Sequence, residues 1–95
     1  MVEIFIGNMN PYKENKISKN KFIREFNEDT ESSEFIWHKD KEDRIVESIS
    51  ETDWLLQIDN ELPKKIEGKV FIPKETYHRV IKGTGDLKIR LTKLV

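Results

Sequence analysis

Leu87, Ile89 and Leu91 alternate with Lys88, Arg90 and Thr92 near the end of the chain. Side chains two apart share a face only where the backbone is extended, so this run is a strand with one buried and one wet face. The same cadence runs through everything after Phe35. Short runs rich in β-branched and aromatic residues fall near 34–40, 43–50, 54–58, 69–73, 77–82 and 86–94. They are separated by turn-forming stretches at Glu51-Thr52-Asp53, Asp59-Asn60, Glu67-Gly68 and Gly83-Thr84-Gly85. Strands recurring roughly every 8–12 residues define an all-β sandwich or barrel. With 95 residues in total there is room for one such core and not for two.

The first third of the chain is less determinate. Ile4-Phe5-Ile6 ending at Gly7-Asn8 predicts a short strand and a turn. Between Tyr12 and Ser33 two readings stand side by side: a short helix capped by Ser18 with Phe22, Ile23 and Phe26 on one side, or a strand over the same residues. Asn27 to Glu34 is polar and acidic and reads as an exposed connection. The expected organisation is an N-terminal strand or arm, residues 1–34, packed on a barrel core formed by residues 35–95.

Charge narrows the partners. The chain carries 17 Lys and Arg against 18 Asp and Glu, a formal net charge of −1, with the signs interleaved. A nucleic-acid binder working by counterion release needs a basic excess, so no nucleic-acid partner is expected. There is no cysteine, which removes disulfides, thiolate metal sites and thiol nucleophiles together. The apolar run at the N-terminus is too short for a signal peptide, and no stretch approaches the roughly 18 apolar residues of a membrane-spanning helix. A cytoplasmic protein with no membrane partner is therefore expected. Gly83-x-Gly85 is a tight connection and lacks the Lys-Ser/Thr and following helix of a phosphate loop. Neither histidine has a suitably placed serine for a Ser-His-Asp arrangement.

The only two histidines, His38 and His78, lie where a small barrel would bring distant strands together. On an extended strand His38 and Asp40 point to the same face, and Arg44 joins them if the strand stays regular. Phe35 and Trp37 would then share the opposite, outward face, where a dimer interface or the N-terminal arm covers them. Lys39 to Arg44 is a run of six charged residues, which more often marks a solvated loop. Trp54, Leu56 and Ile58 alternate as core.

The segment Gly68-Lys69-Val70-Phe71-Ile72-Pro73-Lys74-Glu75-Thr76-Tyr77-His78 resembles the second motif of the cupins, G-x5-P-x-G-x-x-H, with one residue fewer between Gly and Pro and Glu75 at the usual glycine. Trp37-His38-Lys39-Asp40 is similar to the start of the first cupin motif. The resemblance implies a single double-stranded β-helix (jelly-roll) barrel, often dimeric, with a small polar or anionic ligand and, in many cases, a divalent metal between the motif strands. By the same resemblance His38 and His78 match metal-binding histidines, Asp40 stands at the second histidine position and Arg44 where the glutamate is usual.

Two pocket chemistries follow from this. In one, His38, Asp40 and His78 hold Fe, Mn, Ni or Zn as a two-histidine, one-carboxylate set. That H-x-D…H order also resembles the iron and 2-oxoglutarate oxygenases, although Lys88, which would have to supply the co-substrate's cation, alternates onto the wet face. In the other, Arg44 pairs with Asp40 or Glu42 and opposes a dication, and His38, Arg44 and His78 bind a small anionic or polyhydroxyl ligand. Beside both stands an accessory module whose interior is filled by side chains. Whether the protein is an enzyme stays open at this point.

Overall fold

The computed structural model describes residues 12–29 and 31–95, so the strand expected at Ile4-Phe5-Ile6 lies outside the described residues. The described chain is all β apart from one short 3-10 turn. The strands are β1 (Lys13–Ser18), β2 (Lys21–Phe26), β3 (Asp43–Ser48), β4 (Leu55–Ile58), β5 (Lys64–Lys65), β6 (Lys69–Ile72), β7 (His78–Ile81) and β8 (Leu87–Leu94). They form two antiparallel sheets, one in the order β1-β2-β8-β3-β6 and one in the order β5-β4-β7. The sheets face one another as a jelly-roll sandwich that is not closed by strand pairing. Among the described residues no helix is long and apolar enough to cross a membrane.

Alternation decides which side chains the sandwich encloses. Leu87, Ile89 and Leu91 of β8 point inward beside Val46 of β3 and Val70 and Ile72 of β6, against Leu56 and Ile58 of β4 and Val80 of β7. Burying each such side chain contributes about 1.5–3 kcal/mol. Trp54, fully buried just before β4, packs against Phe26 and Phe35 and donates from Nε1 to the Gly85 carbonyl at 3.1 Å. Four described turn residues, Asn60, Gly68, Glu75 and Gly85, have left-handed geometry, and two of them lie in the motif segment. Gly68 has φ 62°, free of cost for a residue without Cβ, whereas Glu75 has φ 57° at the position where the motif usually carries glycine.

Between Tyr12 and Ser33 the extended reading holds. β1 and β2 are a hairpin turned at Lys19-Asn20, and β2 continues the large sheet through β8. Phe22 and Phe26 face inward with Arg24 between them, only 6% exposed. The inward arginine breaks the apolar alternation, which is why a helix fitted the sequence as well. Its charge is met across the hairpin by Glu14, its register partner, at 2.5 Å, and its guanidinium lies 4.5 Å from the centre of the Tyr12 ring.

The strand expected at 34–40 is not formed. Ser33–Phe35 is instead a 3-10 turn whose cap, Ser32, accepts from the Glu34 N–H at 2.9 Å. Only His38 then pairs, as an isolated bridge to His78. The physical reason lies with Phe35, which turns into the aromatic core to meet Phe26 and Trp54 and cannot also keep the outward phase of a regular strand. Phe35 and Trp37 are accordingly not an outward pair. Trp37 alone faces out, 4.9 Å from the Arg79 guanidinium. The connection 27–34 is likewise not exposed throughout, because its last residue, Glu34, turns inward to line the interior.

Candidate metal centre

Three backbone contacts assemble the site. His38 and His78 exchange both backbone hydrogen bonds, at 3.0 and 2.8 Å, which sets them directly opposite and turns both rings to the same face. Their ring centroids are 4.3 Å apart. His78 opens β7 and alternates inward with Val80, so the shared face is the interior. Asp40 is tied by its carbonyl, which accepts from the Glu75 N–H at 2.7 Å, while the Lys74 N–H donates to Asp43 Oδ1 at the start of β3. The loop after Pro73 thus clamps the segment that carries Asp40.

All four residues named from the sequence meet here. One donor atom from each of His38, Asp40 and His78 falls within 4.8 Å of the others. His78 Nε2 is 3.1 Å from Asp40 Oδ2. Arg44 faces inward from β3, two residues from Val46, with Nη2 at 3.3 Å from Asp40 Oδ1 and Nε at 2.6 Å from Glu42. The charged run Lys39 to Arg44 is therefore not simply a solvated loop, since the Asp40 and Arg44 side chains are largely enclosed. Lys88 faces outward and lies 4.0 Å from Glu25, so it brings no cation to the interior.

The histidine tautomers follow from their partners. His38 Nδ1 lies 2.7 Å from the Ile36 carbonyl and His78 Nδ1 lies 2.9 Å from the Thr76 carbonyl. A carbonyl oxygen only accepts, so both Nδ1 atoms carry the proton and both neutral rings present the Nε2 lone pair to the interior. Metal-ligating histidines are held in this way, by a hydrogen bond behind the coordinating nitrogen. The lone pairs meet carboxylates: His78 Nε2 faces Asp40, and His38 Nε2 lies 3.1 Å from Glu34 Oε1. Neither contact is aligned as a hydrogen bond, and His38 Nε2 and Asp40 Oδ2 are buried without another partner. Lone pair against lone pair is repulsive unless a proton or a metal cation sits among them, so the donor set fits a divalent metal.

Two residues of this site were not singled out from the sequence. Glu34 sits on the 3-10 turn and Arg24 lies behind it, Nη1 at 4.0 Å from Glu34 Oε2. The available signals were an acid four residues before His38 and an arginine flanked at two-residue spacing by phenylalanines. Among Arg24, Glu34, Arg44, His78 and the apolar core lies a cavity of about 30 Å³. That is the space of roughly one water molecule, against the hundreds of Å³ of a ligand pocket.

Without metal, a proton on His38 takes part of the cation's place. Burial pushes the His38 imidazolium down, but the Glu34 carboxylate beside it, the Ile36 carbonyl and the charge of Asp40 outweigh burial, and its pKa is raised. Burial likewise pushes Glu34 and Asp40 up. The neighbouring imidazoles and the guanidiniums of Arg24 and Arg44 outweigh it, so both carboxyls are lowered. The stabilisation from His38 is complete below the usual imidazole value and is lost as pH rises through the raised one. That from Glu34 and Asp40 is present above the usual carboxylate values and is lost as pH falls through the lowered ones. Metal-free protein is therefore expected to be most stable on the acidic side of neutrality, between about pH 4.5 and 6.5. Thermal melts in chelator from about pH 3 to about pH 9 check this, and a maximum in the alkaline range contradicts it.

The fold and the site together define a cupin-type jelly roll with an inward His-Asp-His group. No family model matches the sequence, and no curated protein is detectably similar to it. Solved structures are similar. The DMSP lyase DddQ from Ruegeria pomeroyi superposes with a TM-score of 0.71 at 10% identity, covering 92% of this chain and 48% of that one. A cupin domain from Bordetella pertussis superposes with a TM-score of 0.58 at 14% identity, covering 88% and 92%. A cupin-2 domain containing protein from Shewanella frigidimarina gives 0.58 at 14% identity, covering 96% and 89%. The chain thus spans about half the length of the lyase, and the likeness establishes the fold and not the reaction.

Proposed function

We propose that this chain is a metal-dependent small-molecule-binding cupin-type domain in which His38, Asp40 and His78 hold one divalent first-row metal ion. The observation that carries the reading is the pair of Nδ1–carbonyl contacts, which leaves both Nε2 atoms directed at the carboxylates of the interior. When bound, the metal supplies Lewis acidity at positions that two histidines and a carboxylate leave open. The chain's own residues do the rest. Thr76 and Ile36 fix the rings, Arg44 holds Asp40 by its second oxygen, and the apolar wall of Val46, Leu56 and Ile72 keeps bulk water out. The cavity beside His78 has room for about one water, so a polar or anionic ligand would reach the metal from the partly exposed side of His38.

A second reading, a side-chain-filled module without metal, is favoured by the cavity size and by the guanidinium of Arg44 on Asp40. Metal analysis of protein purified without a histidine tag, joined to thermal melts with added Fe(II), Mn(II), Ni(II) or Zn(II), separates the two. About one equivalent of metal is expected. At a free metal concentration about 100 times Kd, the native state gains about 2.7 kcal/mol, a shift of roughly 10–20 °C for a domain of this size. Blank results in both measurements leave only the filled module.

A further inference from the structure

We infer that Glu34 is a further metal-binding side chain of this centre, a second carboxylate delivered from the 3-10 turn and held by Arg24. The inference rests on the metal reading above and adds a residue to it. It begins with how the turn is built. Ser32 caps Glu34 through its hydroxyl, the Phe35 N–H returns to the Ser32 carbonyl at 3.1 Å, and the Phe35 ring anchors the turn on Trp54. With its backbone fixed this way, Glu34 projects inward, its side chain 18% exposed, onto the same cavity as His78.

Two imidazole–carboxylate pairs then have matching form, joined through His38 and His78, whose ring centroids are 4.3 Å apart. His78 Nε2 is 3.1 Å from Asp40 Oδ2, and the other Asp40 oxygen is 3.3 Å from Arg44. His38 Nε2 is 3.1 Å from Glu34 Oε1, and the other Glu34 oxygen is 4.0 Å from Arg24. Metal bonds of about 2.0–2.2 Å place neighbouring donors about 3 Å apart, the separation both pairs show. With His38 Nε2 on a metal, Glu34 Oε1, 3.1 Å from that nitrogen, lies at the spacing of a neighbouring ligand of the same ion.

Charge points the same way. Arg24 is matched by Glu14 and Arg44 by Glu42. A dication held by Asp40 alone leaves one positive charge uncompensated among two buried guanidiniums, and Glu34 is the carboxylate in contact with a ligand histidine that neutralises it.

Cobalt(II) tests this, because its visible absorption reports the number and kind of its ligands independently of any activity. Tag-free wild type, Glu34→Gln, Glu34→Asp and the exposed control Glu31→Gln are titrated with Co(II) and followed by calorimetry and visible spectra, with circular dichroism reporting the fold. Glu34→Gln is expected to bind at least about tenfold more weakly, about 1.4 kcal/mol, with an altered visible band. Glu34→Asp should recover part of the affinity, and Glu31→Gln should match wild type. If Glu34→Gln binds Co(II) with wild-type affinity and spectrum, Glu34 is not a ligand although the metal centre stands. If Glu34→Gln does not fold, Glu34→Asp decides alone, a wild-type affinity and band counting against the inference. If wild type itself binds no Co(II), the metal centre and this inference fall together.

Discussion

Trp54→Ala is expected to remove about 3–5 kcal/mol of stability, the largest loss from any single substitution in this chain. A domain of this size has about 5–15 kcal/mol in total, so the variant is expected to be partly unfolded at room temperature. Trp54 is 0% exposed and touches both Phe26 of β2 and Phe35 of the 3-10 turn, so its ring joins the two sheets to the segment entering the site. Truncation leaves a cavity beside the Phe26 and Phe35 rings and strips the Gly85 carbonyl of its N–H donor. Trp54→Phe keeps most of the ring volume and loses the indole N–H, with an expected cost of about 1–3 kcal/mol. Urea unfolding followed by circular dichroism measures both. Because Phe35 is packed on Trp54, a surviving Trp54→Ala fold should also bind metal more weakly. A Trp54→Ala midpoint equal to wild type would mean that the aromatic cluster does not bear the load assigned to it.

The sheet was legible wherever a strand buries apolar side chains on one face. β8 shows this best, since Leu87, Ile89 and Leu91 keep strict alternation and all three are buried. It was hidden wherever an interior position is charged. Arg24 between Phe22 and Phe26 made β2 ambiguous, because the partner that makes an inward arginine tolerable, Glu14, comes from a different strand. The site shows the same division. His38 and His78 were brought together correctly, although the strand assumed around His38 is not formed. A single bridging pair suffices to oppose two rings, and that pairing depends on the turn at Glu75 as much as on local propensity. Glu34 was out of reach for a related reason. Nothing in a polar, acidic stretch says which acid turns inward, and here Phe35 decides it by entering the core. β5, two exposed lysines, has no apolar face and hence no period to read.

Substituting His78 by alanine is expected to abolish the metal-induced rise in melting temperature and to lower metal affinity by more than 100-fold. Removing only a hydrogen-bond partner behind a ligand typically costs about 10–100-fold, and His78 is the ligand itself. His38→Ala is expected to have the same effect on metal. The two differ in what they do to metal-free protein. His78 is 3% exposed, lies 3.1 Å from Asp40 and opens β7 inside the sandwich, whereas His38 sits on a single bridge at the sandwich edge. His78→Ala leaves a cavity in the interior, which should cost about 2–4 kcal/mol. His38→Ala should cost less, about 1–2 kcal/mol, because part of its ring is already in water and Glu34 keeps Arg24 nearby. Melts of both variants with chelator and with excess Mn(II) or Zn(II) separate the two effects. In a side-chain-filled module the chelator curves would differ in the same order while metal moved none of the three proteins. In a metal centre the metal moves wild type alone. A His78→Ala variant that keeps the wild-type rise would place the ion somewhere other than between these two rings.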